Sequence, residues 1–178
     1  YRNIVNILYH SAIMSLLVLG QGLVLINGKL DLSIESTLGF APGIAMLLSM
    51  SILPGIVGPG TAIVITLIIG AALGAFNGYC IAYLKINPLL QTLASMIMIR
   101  GILLYIFPFS LFPLDPVFRY AGAGRLPGNI PVSIPLVLLV FLLLHFVLQH
   151  TPFGRRFVST GGNPQASYVS GIHVDRMT

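Results

Sequence analysis

Residues Thr61 to Leu84 read TAIVITLIIGAALGAFNGYCIAYL, without one Asp, Glu, Lys, Arg or His. A bilayer core takes about 20 consecutive apolar residues as helix to cross. Backbone in hydrocarbon must also satisfy its own hydrogen bonds, which a helix does within one segment. The stretch therefore predicts a transmembrane helix. Gly70, Gly74 and Gly78 recur every fourth residue along it. Such a small-residue face lets two helices approach closely, because lipid supplies no hydrophobic drive for association. The glycines read as packing, and Asn77 beside them is placed to hydrogen-bond across helices. Cys80, the one cysteine of the chain, cannot form an internal disulfide and reads as a small packing residue.

The same pattern extends in both directions. Of 178 residues, 56% are hydrophobic and 7% charged, against about 25% charged in soluble domains. Ile4 to Ile26, Pro88 to Phe107 and Ile134 to Leu148 are further spans, and Leu38 to Leu53 is a shorter one carrying Pro42 and Gly43. The expectation is an all-α, polytopic membrane helix bundle of about five spans. The net charge of +5 rests on few charges and is no nucleic-acid footprint; its cations mark loops flanking the membrane. The chain begins with Tyr1 and stops after a polar loop, which reads as a fragment of a longer protein.

Between the spans lie the residues that carry chemistry. Asn27 to Ser36, NGKLDLSIES, interrupts the apolar pattern. Asp31 and Glu35 share a helix face, and short or Gly/Pro-interrupted segments mark substrate paths in transporters. The structural alternative is that Asp31 or Ser33 caps the next helix while Glu35 favours its positive first turn. Pro54 to Gly60 is a turn by composition. Asn87 and Pro88 spell an N-cap and first helical residue, with Gln91, Thr92 and Ser95 following. Arg100, deep in that span, must pair or reach the interface; snorkelling or a backbone carbonyl is the expected outlet. Pro108 to Ser133 is a loop in which Asp115 and Arg119 suggest one helical turn. Phe107, Phe109 and Phe112 suit the membrane edge. On the first span, Asn6, His10, Ser11, Ser15 and Gln21 are polar residues expected to face neighbours or a cavity. His145 and His150 are off the spacing of a helical metal pair and read as packing histidines.

The longest polar segment is Thr151 to Arg176, TPFGRRFVSTGGNPQASYVSGIHVDR. Gly161 and Gly162 break what precedes them. Asn163 is an N-cap, Pro164 the first helical residue and Gly171 the C′ position of a helix over Gln165 to Ser170. At about 10 Å that helix cannot cross a membrane. Its small residues fit it either to sink into a groove on a soluble partner or to serve as a loop between spans. With five spans and this segment inside, Lys29, Lys85, Arg155, Arg156 and Arg176 lie in the cytoplasm against Arg2, Arg119 and Arg125 outside, in weak agreement with the positive-inside rule. No phosphate-binding loop, HExxH, CxxC or GxSxG motif occurs. No cofactor or metal site and no catalytic residue is expected, and the chain does not read as an enzyme.

Four blocks together carry a resemblance. They are GLVLINGKLDLSIES at Gly22 to Ser36, similar to G-x-x-x-V-x-x-x-G-x-D-L-S-x-G-S; Gly74 to Asn87 with Asn77-Gly78; Ile99-Arg100-Gly101 after Gln91-Thr92-Leu93; and Thr151 to Ile172, similar to T-x-F-G-R-x-x-x-A-x-G-G-N-P-E-A-A-x-x-S-G-I. The chain resembles the permease subunit of bacterial ABC importers of ribose, xylose and related monosaccharides over essentially its whole length. The resemblance implies a permease in the bacterial inner membrane that translocates a monosaccharide or related small polar solute. It implies four partners in turn: a second permease copy or sister subunit, a cytoplasmic ATPase, a periplasmic binding protein and the lipid bilayer. Residues 1–178 then form the transmembrane permease domain, with 151–178 its cytoplasmic coupling loop. The ATPase-coupling helix comprises Gly162, Asn163, Pro164, Gln165, Ala166, Tyr168, Val169, Gly171 and Ile172. Asp31, Glu35, Asn77 and Gln91 are the candidate lining of the substrate path. Gln165 stands where the family has Glu, Ser167 where it has the second Ala, and Glu35 where it has Gly. The family's permeases are longer than this chain. Competing readings are an ion-coupled secondary transporter with Asp31 or Glu35 carrying the proton, and a membrane scaffold that transports nothing.

Overall fold

The structure, a computed structural model, describes residues 2–52, 56–108, 124–127 and 130–177. The chain divides into two compact units, Asp31–Arg119 and Tyr1–Leu30 with Tyr120–Thr178. Both are helical. Among the described residues four helices are long and apolar enough to cross a membrane, joined by one shorter apolar helix. This is the membrane helix bundle that the apolar runs predict.

The unit at Asp31–Arg119 holds α2 (Ile34–Leu47), a π-helical turn (Leu48–Ile52), α3 (Pro59–Ala82) and α4 (Pro88–Ile106). The helix α2 starts four residues before the apolar run at Leu38, because the polar side chains of its first turn find partners. The Ser36 hydroxyl donates to the Met96 carbonyl of α4 at 3.0 Å. Pro42 lies inside α2. Ala45, Val57 and Ala62 form a small buried cluster with Ile65 packed on it, and the Ser49 hydroxyl donates to the Val57 carbonyl at 2.8 Å. Asn87 caps α4 as its sequence predicts, its side-chain oxygen accepting from the Leu89 amide at 2.9 Å. Cys80 is buried. The glycine face of α3 is not packed as expected. A Cβ at Gly70, Gly74 or Gly78 meets no atom within 4 Å, so no helix among the described residues uses that face.

The other unit holds α1 (Arg2–Ile26), a two-residue antiparallel pair β1 (Arg125–Leu126) and β2 (Ile130–Pro131), then α5 (Ser133–His150), α6 (Pro152–Gly162), α7 (Pro164–Val169) and α8 (Val174–Met177). The β pair lies in a stretch that composition marks only as loop. The Asp115–Arg119 turn, Phe109 and Phe112 lie outside the described residues. On α1, Asn6, His10 and Ser11 are exposed rather than packed on a neighbour, and Ser15 donates to the Ser11 carbonyl at 2.7 Å. His150 stacks on Phe146 with ring centroids 5.3 Å apart. No group of His, Cys, Asp and Glu among the described residues could hold a metal ion.

The sequence marks a helix only from Gln165 onward, yet α6 is a full helix before it. Its signal is Thr151-Pro152. The Thr151 hydroxyl donates to the Val147 carbonyl at 2.6 Å and accepts from the Gly154 amide at 3.1 Å, so one residue ends α5 and starts α6. Gly161 and Gly162 are the last residues of α6, so the helix that precedes them ends at the glycine pair as expected, with Asn163 as its C-cap. At Gly161 the backbone passes so close to the end of α1 that a Cβ would collide with the Ile26 carbonyl. The Asn27 side-chain amide donates to the Met177 carbonyl at 2.7 Å, which ties α8 to the same turn. Replacing Gly161 by Leu forces α6 away from α1. The expected loss is about 1–3 kcal/mol, the usual cost of overpacking, read as a lower unfolding midpoint of the full-length protein in detergent. An unchanged midpoint would refute the close approach.

Candidate functional site

The polar residues of the unit at Asp31–Arg119 form a connected chain of hydrogen bonds. Asn77, buried to 4% exposure, is its hub. Its Oδ1 accepts from the Ser95 hydroxyl at 2.6 Å and from Gln91 Nε2 at 3.2 Å. Its Nδ2 donates to the Ser33 hydroxyl at 2.9 Å, which donates in turn to Asp31 Oδ1 at 2.6 Å. Gln91 Nε2 also donates to the Ser95 hydroxyl at 3.3 Å. Asp31 Oδ1 is the final acceptor, so the chain has one direction: every donor points from Gln91 and Ser95 through Asn77 and Ser33 towards it. Bonds aligned in this way reinforce one another in a medium of low dielectric.

The local sequence explains the placement. Gln91 and Ser95 are one turn apart on α4 and present one face. Asn77 is five residues before the end of α3, opposite that face. Ser33 immediately precedes α2. It occupies the N-cap but makes no cap bond to the helix, because its hydroxyl is engaged by Asp31 and Asn77. Asp31 does not cap α2 either; its Oδ1 also accepts from the Ser33 amide at 2.8 Å, a turn that leads into the helix. The expected cap is thus replaced by a bridge to α3 and α4. The first turn of α2 therefore lies beside the middle of α4: Ser36 bonds to Met96, about 12 Å along the helix from Pro88. A span that starts part-way across the membrane is the broken-helix arrangement of many transporters.

Glu35 stands apart from this chain. It is in the first turn of α2 but on another face, where its Oε1 accepts from Arg100 Nη1 at 2.7 Å. Arg100 is therefore held by a carboxylate rather than a backbone carbonyl. The four candidate path residues divide into a connected three, Asp31, Asn77 and Gln91, and a separate Glu35. Sequence reasoning missed Ser33 and Ser95 as members. The one-turn spacing of Ser95 from Gln91 carried that signal; nothing in the sequence joined Ser33 to Asn77.

In the other unit the short helix α7 has the cap its sequence predicts. Asn163 Oδ1 accepts from the Ala166 amide at 2.9 Å, and Gly171 closes the far end at φ +79°, a conformation that suits glycine. Ser167 is buried, with its hydroxyl 2.8 Å from that of Ser159 on α6. Gly162, Asn163, Pro164, Gln165, Ala166 and Gly171 are exposed and Ile172 is half-buried. Tyr168 and Val169 are the most open, at 73% and 86% exposure.

Residues 3–178 match the family model described as branched-chain amino acid transport system / permease component. The chain belongs to this permease family. Its relatives place it with the ribose and xylose type. The chain is 37% identical over 182 residues to the ribose import permease protein of Bacillus subtilis (strain 168), with 98% of this chain and 54% of the relative covered. It is 30% identical over 183 residues to the ribose import permease protein of Escherichia coli (strain K12), covering 99% of this chain and 55% of the relative. The xylose transport system permease protein of the same strain is 28% identical over 239 residues, covering 98% and 59%. The chain spans about half the length of these relatives. No solved structure matches it.

As a permease the chain needs its polar hub intact to hold α2, α3 and α4 together. Asn77→Leu removes three side-chain bonds and cuts the link from Ser33 and Asp31 to Gln91 and Ser95. Interhelical bonds of this kind contribute about 0.6 kcal/mol each on average and up to about 1.7. The variant should lose about 1–3 kcal/mol in equilibrium unfolding of the full-length permease, and Ser95→Ala a smaller part of that. Equal stability of Asn77→Leu and the parent would remove the hub from the account.

Proposed function

We propose that the chain is the transmembrane part of an ATP-binding-cassette importer for a monosaccharide or related small polar solute. A periplasmic binding protein delivers the solute, and the permease pairs with a second copy or a sister subunit around the path. Residues 151–178 face the cytoplasm, and Gly162 to Ile172 form the segment that receives a cytoplasmic ATPase. The observation that carries this reading is α7. It is capped at both ends and anchored through Ser167, yet it holds two large apolar-bodied side chains, Tyr168 and Val169, almost fully in the open. A helix merely linking spans has no use for such an edge, whereas a partner groove does. ATP hydrolysis belongs to that partner. Ribose and xylose relatives support a sugar as cargo, and Asp31 and Gln91, half-buried at the two ends of the polar chain, supply hydrogen-bonding groups beside the start of a short helix.

Expressed at full length with its genomic neighbours, the permease should co-purify an ATPase in detergent. Tyr168→Ala and Val169→Asp should each cut the bound ATPase about tenfold or more, the range of interface anchors, while the permease itself is recovered in equal yield. Absence of an ATPase from the parent complex, or equal binding by both variants, would overturn the assignment.

A further inference from the structure

The ion pair between Glu35 and Arg100 is exposed on the outside of its unit, at 72% and 57% respectively. It is also deep. Arg100 lies six residues from the end of α4, about 9 Å from Ile106 and about 18 Å from Pro88. On the same face Ile97 and Leu104 are exposed on α4, and Leu38, one turn after Glu35, on α2. Two charges open to hydrocarbon at that depth would be costly, and intramembrane ion pairs face a water-filled cavity or a polar neighbour. Snorkelling is no remedy, because the pair ties Arg100 to Glu35, and long helical side chains set out towards the N-terminus, here away from the nearer end.

We infer that the α2–α4 face around Glu35 and Arg100 is a wall of an aqueous path, where the pair recognises a neutral polyhydroxylated solute. The inference rests on the permease reading for its solute, but its wetness does not. The observed bond engages one guanidinium nitrogen and one carboxylate oxygen, which leaves further donors on Arg100 and acceptors on Glu35. A sugar hydroxyl both donates and accepts, so neighbouring hydroxyls can meet Arg100 and Glu35 together. The pair carries no net charge and so offers no advantage to an anionic or cationic solute over a neutral one. Arg100 and Glu35 are thereby specificity residues, whereas the buried Asn77 chain holds the helices.

Two measurements test this on the full-length, partner-complete importer in proteoliposomes, with native cysteines replaced. First, Ile97→Cys, one turn from Arg100, is exposed to a membrane-impermeant cationic methanethiosulfonate reagent, with Leu67→Cys on α3 as the control. Ile97→Cys should react at least about tenfold faster than Leu67→Cys. No reaction, as when the remainder of the permease covers the face, or equal reaction at both positions, overturns the inference. Second, D-ribose uptake is measured for Glu35→Gln and Arg100→Gln. Each should raise the half-saturating ribose concentration about tenfold while the bound ATPase stays at the parent level. An unchanged half-saturation overturns the recognition role. Failure of the parent to take up any sugar strikes the permease reading instead, and the labelling still decides whether the face is wet.

Discussion

Hydrocarbon offers no hydrogen-bond partner, so every polar group placed at membrane depth has to be answered by another group of the protein or by water. The unit at Asp31–Arg119 is built around that constraint. Asn77, Ser33, Ser95 and Gln91 answer one another, and Asp31 is the final acceptor of the chain. Because Ser33 is held by α3, α2 can begin part-way along α4 instead of at a membrane surface. The Ser36 bond to Met96 and the contact of Gly39 with Leu103 continue the same registration of α2 on α4. The polar cluster thus sets where α2 starts.

Backbone rules shape the other unit more than side-chain chemistry does. Thr151-Pro152 and Asn163-Pro164 start two consecutive helices by one device: a side-chain oxygen accepts an orphan amide, and a proline occupies the position where its missing N–H costs nothing. The device also starts α4 at Asn87-Pro88. Glycine then sets the approach of elements. Gly154 lets the chain turn against Val147 and Leu148, and Gly161 lets α6 lie on the end of α1. The result is a mount for α7, whose buried Ser167 and open Tyr168 and Val169 divide its two faces.

Family membership and this geometry support each other at different levels. The match over residues 3–178 speaks to the class of the whole chain. The geometry separates the candidate residues by task. Asn77 is a structural hub, Asp31 and Gln91 end its hydrogen-bond chain half-buried, and Glu35 with Arg100 presents charge outward. Glu35 meets Arg100, which would otherwise need another partner for its charge.

Much of this was legible in residues alone. Apolar runs determined the helices, because helix length in a bilayer is a matter of counting, and caps such as Asn87, Asn163 and Gly171 are local chemistry read within four residues. The α6 helix was equally readable at Thr151-Pro152 and was masked by the polar composition around it. What only the tertiary structure decided are the pairings at long separation: Ser33 with Asn77, Glu35 with Arg100, Asn27 with Met177, Gly161 against Ile26. It also left the glycine face of α3 open, where spacing alone predicts a neighbour. Sequence spacing states which side chains share a face of one helix; which face meets which depends on the register and rotation of separate helices, and those are set by the sum of many contacts.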